Sequence, residues 1–496
     1  MFPLFTGRLR LMTSDNDPSN SEFLSTIVSP VSVVPVVPHH DGVEPMAVEM
    51  LPDPESDHPV AQPVEAVERV ASVDVIRGFA LLGILAMNIV SFAWPGSVYE
   101  IPIMAEGAGP LDTFLWGFNH LIFDTKMMTL FSMLFGAGLV IQSNRAESRG
   151  TSLTRVYYRR IFWLLVIGII HAVFIWEGDV LVIYALCGLL LYPFRAWKPR
   201  TLIVAGIAGN LMIVVMLLGF RFIGIPYMQS TFDEVATQLD AKQEPTWWRR
   251  SVHDAWKEMS KQELPKREDF LKEIARYRGP YLGLVTQRAT SLVWMPIGLL
   301  MIYWWMIGGR MLIGMGMMKM GVFSASLAPS TYQQMIRWGY GIGLPYMLFD
   351  AVHEATNGFF LGRRLWYMLD GWPLITILGS LPVVIGHIGL VMRMVQTGTF
   401  PWLTRRLAAV GRMALSNYLA TSLFCTTLFY GYGLDFFATI HRPLLWGIVL
   451  AIWMTQLLLS PLWLEHFRFG PAEWLWRSLT YRKLQPMRAR AEPGYA

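Results

Sequence analysis

The stretch HAVFIWEGDVLVIYAL, residues 171–186, places a histidine and two carboxylates inside and between two segments that are otherwise suited to lipid. His171 lies near the end of one apolar segment, and Asp179 opens the next. A histidine paired with a carboxylate is a common general base, because the carboxylate fixes the tautomer and stabilises the imidazolium. Glu177 lies between them and is interpreted as a solvated turn residue. We therefore predict that His171 and Asp179 are catalytic.

Other polar side chains are expected in the same zone. The helical rise of about 1.5 Å per residue places Asn88 roughly 21 Å above the start of its apolar segment, level with the histidine. Asp124 and Lys126 mark the outer start of the next segment, and Tyr184 lies about one turn into the segment after Asp179. Asn88 is predicted to hold an acyl carbonyl or an acceptor hydroxyl. Lys126 is predicted to stabilise developing negative charge, with Asp124 and Tyr184 as further substrate-binding residues.

Each of these residues also has a simpler structural explanation. A buried His171 is explained by packing or by a hydrogen bond between helices, and Asn88 by the same kind of bond. Asp179 is explained as a helix N-cap, and Lys126 as a side chain that reaches the membrane interface. His387 lacks an acidic partner nearby in sequence and is interpreted as structural. The convergence of four segments on one zone favours the functional interpretation.

The composition places these residues in a membrane. The 496-residue chain is 53% hydrophobic and 16% charged, whereas soluble domains carry about 25% charged residues. Several apolar runs approach or exceed the roughly 20 residues that cross a bilayer as a helix. Zinc-ligand spacings, HExxH and phosphate-binding Gly-Lys loops are absent from the sequence, and Cys187 and Cys425 fall within predicted spans. We predict an all-α polytopic transmembrane bundle, with lipid as a partner and without metal, disulfides or nucleic acid.

The apolar runs divide the chain into five regions. Residues 1–66 have the composition of a disordered tail. Five spans are predicted in 67–222 and five in 283–466, with a charged helical insertion at 223–282 and a basic cytoplasmic tail at 467–496. The ten predicted spans are 75–94, 127–143, 159–176, 179–195, 201–220, 289–311, 332–351, 371–393, 409–430 and 443–465.

The charge of the links between spans predicts the orientation. The basic links are 144–160, 195–200 and 394–408, and the acidic links are 95–112 and 177–179. The positive-inside rule then puts both termini in the cytoplasm of a bacterial inner membrane and the acidic links outside. Arg363 and Arg364 conflict with this orientation. Residues 111–122 carry apolar side chains at helical spacing and are predicted to form a helix in the outer interface.

Five blocks of sequence resemble the YeiB family of bacterial membrane proteins. They are RVASVDVIRGFALLGILAMNI (69–89), TLFSMLFGAGL (129–139), HAVFIWEGDVLVIYALCGLLL (171–191), GRMALSNYLATSLFCTTLFYGYGL (411–434) and FRFGPAEWLWRSLTYRKLQPMR (467–488). The resemblance extends over 69–488 and keeps the blocks in order. The resemblance implies a polytopic helical fold. It does not indicate an activity, because the family is a domain of unknown function.

The first block also resembles that of heparan-α-glucosaminide N-acetyltransferase and related transmembrane acyltransferases, which carry an acyl group from cytosolic acyl-CoA to a sugar. In those enzymes the block precedes an outer Asn, matched here by Asn88, and then a catalytic histidine, where this chain has Tyr99. The resemblance implies an acyl-CoA co-substrate and a substrate-binding position at Tyr99. It leaves His171 as the best base, with His120 as the alternative.

Two functions from different classes fit these residues. An acyltransferase would bind the phosphates of acyl-CoA at basic residues on the inner rim and pass the acyl group to an extracytoplasmic hydroxyl or amine of a glycan or small molecule. The predicted CoA-binding residues are Arg77, Arg159, Arg160 and Arg412. A transporter or exporter of a small polar or lipid-like solute would use the same His and Asp as a proton relay. A non-catalytic membrane scaffold is a third interpretation.

Overall fold

A computed structural model describes residues 71–260, 267–293, 298–360 and 379–488. The predicted tail at 1–66, Arg363 and Arg364 lie outside these ranges, as do parts of the predicted spans 289–311 and 371–393. The described residues are helical, apart from loops and one isolated antiparallel bridge between Phe467 and Arg488.

The described residues form eighteen α-helices, numbered in chain order: α1 (Ala71–Ala93), α2 (Gly96–Glu100), α3 (Pro110–Ile122), α4 (Lys126–Ser148), α5 (Thr154–Phe174), α6 (Leu181–Leu191), α7 (Pro199–Gly219), α8 (Ile225–Asp240), α9 (Trp247–Met259), α10 (Arg267–Tyr277), α11 (Tyr281–Leu292), α12 (Gly309–Lys319), α13 (Pro329–Thr356), α14 (Leu381–Thr397), α15 (Pro401–Arg412), α16 (Ala414–Phe429), α17 (Arg442–His466) and α18 (Pro471–Tyr481). Short 3₁₀ or π segments lie at Pro102–Met104, Tyr192–Ala196, Phe220–Gly224, Leu299–Gly308 and Gly358–Phe360.

Five helical stretches in the described ranges are long and apolar enough to cross a bilayer. They are Ala71–Ala93, Pro110–Ser148, Thr154–Phe174, Pro199–Asp240 and Arg442–His466. A sixth span results if α14 and α15, which meet at a 120° bend, are counted as one. The prediction of an all-α polytopic membrane bundle is confirmed, whereas the number of ten spans is not.

Helix α1 lies at the centre of the bundle, and α7 and α17 lie at its edge. Nearly every side chain of α1 is buried. In contrast, α7 and α17 expose apolar side chains such as Val204, Val215, Leu444 and Met454. A helix that exposes apolar side chains in this way is suited to lipid rather than to water.

Two glycines allow α1 and α15 to approach each other closely. A Cβ atom at Gly78 would collide with the carbonyl oxygen of Leu407, and one at Gly411 would collide with that of Asp74. Small residues at such crossings let membrane helices approach to backbone contact. The crossing brings Arg77 and Arg412 to the same end of the bundle.

Helix α3 occupies the region predicted to lie in the membrane interface. Its apolar side chains Leu111, Phe114 and Phe118 are exposed, whereas Asp112 and Asn119 on its other side are buried. The polar side of this helix therefore faces protein, and its apolar side is the one available to lipid.

Helices α10 and α11 are anchored to the turn between α5 and α6. Glu177, which we expected to be solvated, accepts hydrogen bonds from the Tyr277 hydroxyl and, at 2.7 Å, from Nε of Arg288. The Tyr281 hydroxyl also donates to the carbonyl of Phe174 at 2.7 Å. Glu177 is an exposed turn residue, as predicted, and it also anchors α10 and α11. These two partners lie 100 and 111 positions away and leave no local signal in the sequence.

Candidate functional site

His171 and Asp179 form a fully buried pair. His171 lies in the last turn of α5, and its Nδ1 is 2.8 Å from Oδ1 of Asp179, with both side chains 0% exposed. The second oxygen of Asp179 accepts the backbone N–H of Val182, in the first turn of α6, at 2.7 Å. Asp179 therefore caps the helix and holds the histidine, and the two roles considered from the sequence coexist.

The other nitrogen of His171 has no hydrogen-bond partner. Asp179 already receives a backbone N–H and acts as an acceptor toward the ring, so Nδ1 carries the proton and Nε2 carries the lone pair. Nε2 is buried and makes no hydrogen bond within the described residues. A buried polar atom without a partner costs stability, which points to a role beyond packing.

The ring of Tyr418 on α16 separates His171 from a cavity. The two ring centroids are 5.0 Å apart, and Tyr418 lines a cavity of about 200 Å³ between α1, α4, α5, α6, α16 and α18. The Tyr418 hydroxyl is buried and makes no hydrogen bond among the described residues, although the backbone of Val180 lies near it. The middle of the cavity is apolar, and its lining includes Leu81, Leu134, Phe135, Leu139, Ile161 and Leu164.

The other end of the cavity is rich in arginine. Of the four arginines predicted to bind CoA, the cavity is lined by Arg77, Arg160 and Arg412, whereas Arg159 is not part of the lining. Arg477 on α18 was not predicted and completes the group. An adjoining polar pocket of about 140 Å³ has the same four arginines and Arg145 in its lining.

Neighbouring side chains hold two of these arginines, Arg77 and Arg160, in place. Nη1 of Arg77 lies 2.7 Å from Oδ1 of Asp74. The guanidinium of Arg160 lies 4.1 Å from the ring centroid of Trp476, whose indole N–H donates to the Arg160 carbonyl at 2.9 Å. Nε of Arg412 is buried without a hydrogen-bond partner in the described part of the chain. The arginine end thus contains a donor that protein groups leave unused.

Glu473 on α18 connects the arginine end to the helix that carries Tyr418. Its carboxylate accepts the backbone N–H of Leu415 at 2.6 Å and that of Ser416 at 3.1 Å, both in the first turn of α16. The Ser416 hydroxyl also donates to it. Burial raises the pKa of Glu473, and the hydrogen bonds from Ser416 and Leu415 oppose that shift. Tyr418 lies half a turn further along α16.

Asn88 lies beyond Tyr418, at a second and much smaller cavity. This cavity, about 10 Å³, has in its lining Asn88, Phe92, Trp176 and Tyr418. Phe92 and Trp176 stack with ring centroids 3.9 Å apart. Leu81, Ile84 and Tyr418 line both cavities. The structure therefore brings Asn88 and the His171–Asp179 pair to the same tyrosine, as their predicted common depth requires.

The other predicted substrate-binding residues form a separate network. Oδ1 of Asp124 accepts from the Tyr99 hydroxyl at 2.9 Å and from the Asn119 amide at 2.7 Å, and Lys126 donates to the His120 carbonyl. Lys126 is 0% exposed, so it does not reach the membrane interface. Burial, followed by the nearby Asp124 carboxylate, raises the pKa of Tyr99. Within the described residues, these groups share no hydrogen bond with the His171–Asp179 pair.

Tyr184 and His120 also have specific positions. Tyr184 lines the larger cavity, and its hydroxyl is bonded to the Ser132 hydroxyl at 2.8 Å and to the Met128 carbonyl at 3.0 Å. His120 forms a second histidine–aspartate pair, with Nε2 2.8 Å from Oδ2 of Asp350. This pair lies on α3 and α13 and is partly exposed.

The described residues contain no group of three His, Cys, Asp or Glu side chains arranged to hold a metal ion. Cys187 and Cys425 are free and buried. The side chains available for chemistry at the site are His171, its partner Asp179, the Tyr418 hydroxyl and the Asn88 amide. We predicted His171, Asp179 and Asn88 from the sequence. We did not predict Tyr418, because nothing local distinguishes it from the other aromatic residues of the bundle.

Comparison with known proteins gives a family resemblance but no activity. Residues 317–483 match the family described as "Protein of unknown function (DUF418)". The uncharacterized protein YeiB of Escherichia coli (strain K12) is 29% identical over 438 residues, which cover 85% of this chain and 98% of YeiB. The uncharacterized protein YxaH of Bacillus subtilis (strain 168) is 27% identical over 435 residues, or 86% of this chain and 98% of YxaH.

No solved structure matches the chain. The family match includes Arg412, Tyr418 and Arg477 of the cavity lining, whereas His171 and Asp179 lie outside it. Over residues 317–483 the chain resembles the family described as DUF418, and it is similar to YeiB and YxaH over 98% of the length of each.

Proposed function

We propose that this protein is an acyltransferase of the bacterial cytoplasmic membrane, which moves an acyl group from cytosolic acyl-CoA to an extracytoplasmic hydroxyl or amine. One observation carries the proposal: a single cavity has arginines at one end, an apolar middle and, at the other end, a tyrosine packed on a buried His–Asp pair. In acyl-CoA the pantetheine arm separates the phosphates from the thioester, so phosphates at the arginine end leave the arm in the middle of the cavity and the thioester beside Tyr418.

The arginine end is suited to the phosphates of the donor. Arg77, Arg160, Arg412 and Arg477 line it, and guanidinium groups bind phosphate oxygens through charge-assisted hydrogen bonds. The basic links at this end of the predicted topology place it in the cytoplasm, where acyl-CoA is made. The apolar middle of the cavity then accommodates the pantetheine arm, which leads to the thioester at Tyr418.

The reaction follows from the free nitrogen of His171. Nε2 takes the proton from the acceptor hydroxyl or amine as the acceptor oxygen or nitrogen bonds to the thioester carbonyl carbon. The Tyr418 hydroxyl donates a hydrogen bond to the carbonyl oxygen, on which negative charge develops. The carbon–sulfur bond then breaks, and the Nε2 proton passes to the thiolate. The products are the acylated acceptor and free CoA.

Asn88 and Asp179 support this step in different ways. Asn88 lines the small cavity beyond Tyr418 and is placed to orient the acceptor group. Asp179 fixes the tautomer of His171 and stabilises the imidazolium. The Tyr99 hydroxyl donates a hydrogen bond to Asp124, and Lys126 donates one to a backbone carbonyl. Because these groups are bonded within the protein, we assign Tyr99, Asp124 and Lys126 a structural role around α2–α4.

Acyl-CoA binding tests the donor half of the proposal. Purified protein in nanodiscs is titrated with acetyl-CoA and longer acyl-CoA thioesters, and binding is followed by calorimetry. We expect saturable binding that Arg160→Gln weakens by about tenfold or more, since one charge-assisted contact is lost. Arg159→Gln removes a neighbouring arginine outside the cavity and should leave binding unchanged. Absence of saturable binding, or equal loss in both variants, would contradict the proposal.

A transporter of a small polar or lipid-like solute is the second candidate. It is favoured by the 120° bend between α14 and α15, because broken helices are common at transporter binding sites. The His171–Asp179 pair would then carry protons. Proton-coupled solute flux in proteoliposomes that His171→Ala abolishes, with no acyl-CoA binding by the wild type, would support transport and reject acyl transfer.

A further inference from the structure

Arg288 on α11 is buried with most of its guanidinium unused. Its residue exposure is 3%, and its Nε donates to Oε2 of Glu177 at 2.7 Å. The terminal nitrogens Nη1 and Nη2 are buried and have no hydrogen-bond partner in the described ranges. Buried N–H groups without acceptors are costly and are rarely retained without a reason.

Tyr430 provides a second unused group beside this arginine. It is 0% exposed, and its hydroxyl makes no hydrogen bond to any residue that the structure describes. The centroid of its ring lies 5.5 Å from Cζ of Arg288. Glu177 does not satisfy the free nitrogens, because one of its oxygens is bonded to Nε of Arg288 and the other to the Tyr277 hydroxyl. Three donors therefore remain free in one small region.

This region lies close to the proposed acceptor cavity along the chain and close to the surface. Glu177 follows Trp176, which lines the small cavity with Asn88. The ring centroid of Tyr432 lies 5.9 Å from that of Tyr430. Tyr432 is 39% exposed and packs edge to face with Tyr281, which is also 39% exposed.

We propose that Arg288 and Tyr430 form a binding subsite for an oxyanion, and that the acceptor of the acyl group therefore carries a carboxylate or a phosphate. The planar fork of an arginine matches two oxygens of such a group, and the tyrosine hydroxyl donates to the same group. The arginine comes from α11, the helix that directly follows the predicted insertion at 223–282. This inference rests on the proposed function for the identity of the ligand as an acceptor, but oxyanion binding itself does not.

Three sugars that differ at one carbon test the subsite. Glucuronate carries a carboxylate, glucose 6-phosphate a phosphate, and glucose neither. Binding to wild-type protein in nanodiscs is measured by calorimetry without acyl-CoA, at constant ionic strength. We expect glucuronate or glucose 6-phosphate to bind at least about tenfold more tightly than glucose, and the tighter of the two identifies the group.

Variants then tie the preference to these residues. Arg288→Lys keeps the charge beside Glu177 but loses the fork, and it should reduce the preference for the oxyanion by about tenfold. Tyr430→Phe keeps the ring and should weaken oxyanion binding several-fold. This variant tests the subsite by itself if Arg288→Lys does not fold. Arg278→Lys is the control, since Arg278 is a neighbouring arginine paired with Asp435 at 3.5 Å.

Equal binding of the three sugars, no saturable binding of either anion, or a preference that Arg288→Lys and Tyr430→Phe leave intact would overturn the inference. Because no acyl-CoA is present, failure of the oxyanion subsite is distinguishable from failure of acyl transfer. A protein that binds acyl-CoA but no oxyanion retains the first proposal and loses the second.

Discussion

At the scale of single residues, the two buried histidines of the bundle differ in their hydrogen bonds. His387 uses both ring nitrogens, with Nδ1 2.7 Å from the Tyr340 hydroxyl and Nε2 3.0 Å from the Ile122 carbonyl. His171 uses only Nδ1. The pairing of His171 with Asp179 was predictable because the two residues are close in sequence. The partners of His387, and the lack of a partner for Nε2 of His171, depend on contacts between distant helices.

Replacing Asp179 by Asn should reduce acyl transfer strongly. The amide no longer stabilises the imidazolium or fixes the tautomer, so we expect the rate to fall by roughly 10²–10⁴. Asp350→Asn alters the second histidine–aspartate pair and serves as the matched control, with transfer expected to stay near the wild-type rate. Rates are measured by release of free CoA thiol. If Asp350→Asn reduced transfer and Asp179→Asn did not, the catalytic base would be His120 and not His171.

Tyr418→Phe tests the hydroxyl that no sequence pattern indicated. The ring, and with it the wall between the two cavities, is retained, but the donor to the thioester carbonyl is lost. We expect the rate to fall by about 10²–10³ with little change in acyl-CoA affinity. Tyr340→Phe removes a buried tyrosine hydroxyl outside the cavity and controls for lost stability. Unchanged turnover in Tyr418→Phe would leave Tyr418 as a packing residue only.

At the scale of elements, α18 shows what a sequence alone does not reveal. The C-terminal region was predicted as a basic tail, yet residues 471–481 form a helix that closes the arginine end of the cavity and caps α16 through Glu473. Pro471 at the first helical position is the local signal for this helix. The contact of Glu473 with Leu415 and Ser416 had no such signal, since it joins segments nearly 60 positions apart.

The cap predicts a dependence of stability on pH. Burial raises the pKa of Glu473, so the folded protein holds that proton more tightly than the unfolded chain. The contribution of Glu473 to stability should therefore fall as pH rises from the ordinary carboxyl pKa of about 4.3 through the raised value. Glu473→Gln lacks this titration. The melting temperature of wild type minus that of Glu473→Gln should decrease across this interval; a constant difference would contradict the assignment.

The glycines of α13 allow a matched test of helix packing. A Cβ at Gly339 would approach the backbone N of Gly386 to 2.5 Å and the carbonyl O of Pro382 to 2.6 Å, whereas one at Gly341 meets nothing within 4 Å. Gly339→Ala should separate α13 from α14 and lower the melting temperature by several degrees. Gly341→Ala should leave the temperature unchanged or raise it slightly, because alanine favours helix. Equal effects would show that the close approach is not required.

At the scale of the whole molecule, composition was sufficient for the class of fold and insufficient for the number of spans. Apolar runs must be helical in lipid, so the all-α membrane bundle followed directly. The number of spans did not follow from composition, because α6 has only 11 residues and α14 and α15 meet at a sharp bend. Hydropathy reports how apolar a segment is and not whether it crosses, bends or turns back. The two cavities meeting at Tyr418 likewise depend on which helices pack together.

We propose that this arrangement transfers an acyl group across the membrane with His171 as the base. The direct test of this transfer compares, by mass spectrometry, the glycans, lipids and small metabolites of cells that express wild-type protein or His171→Ala. We expect an acceptor that is heavier by one acyl group in wild-type cells and lacks that group in His171→Ala cells. Acylation that persists in His171→Ala cells, or identical spectra in which no acylated species depends on the protein, would contradict it.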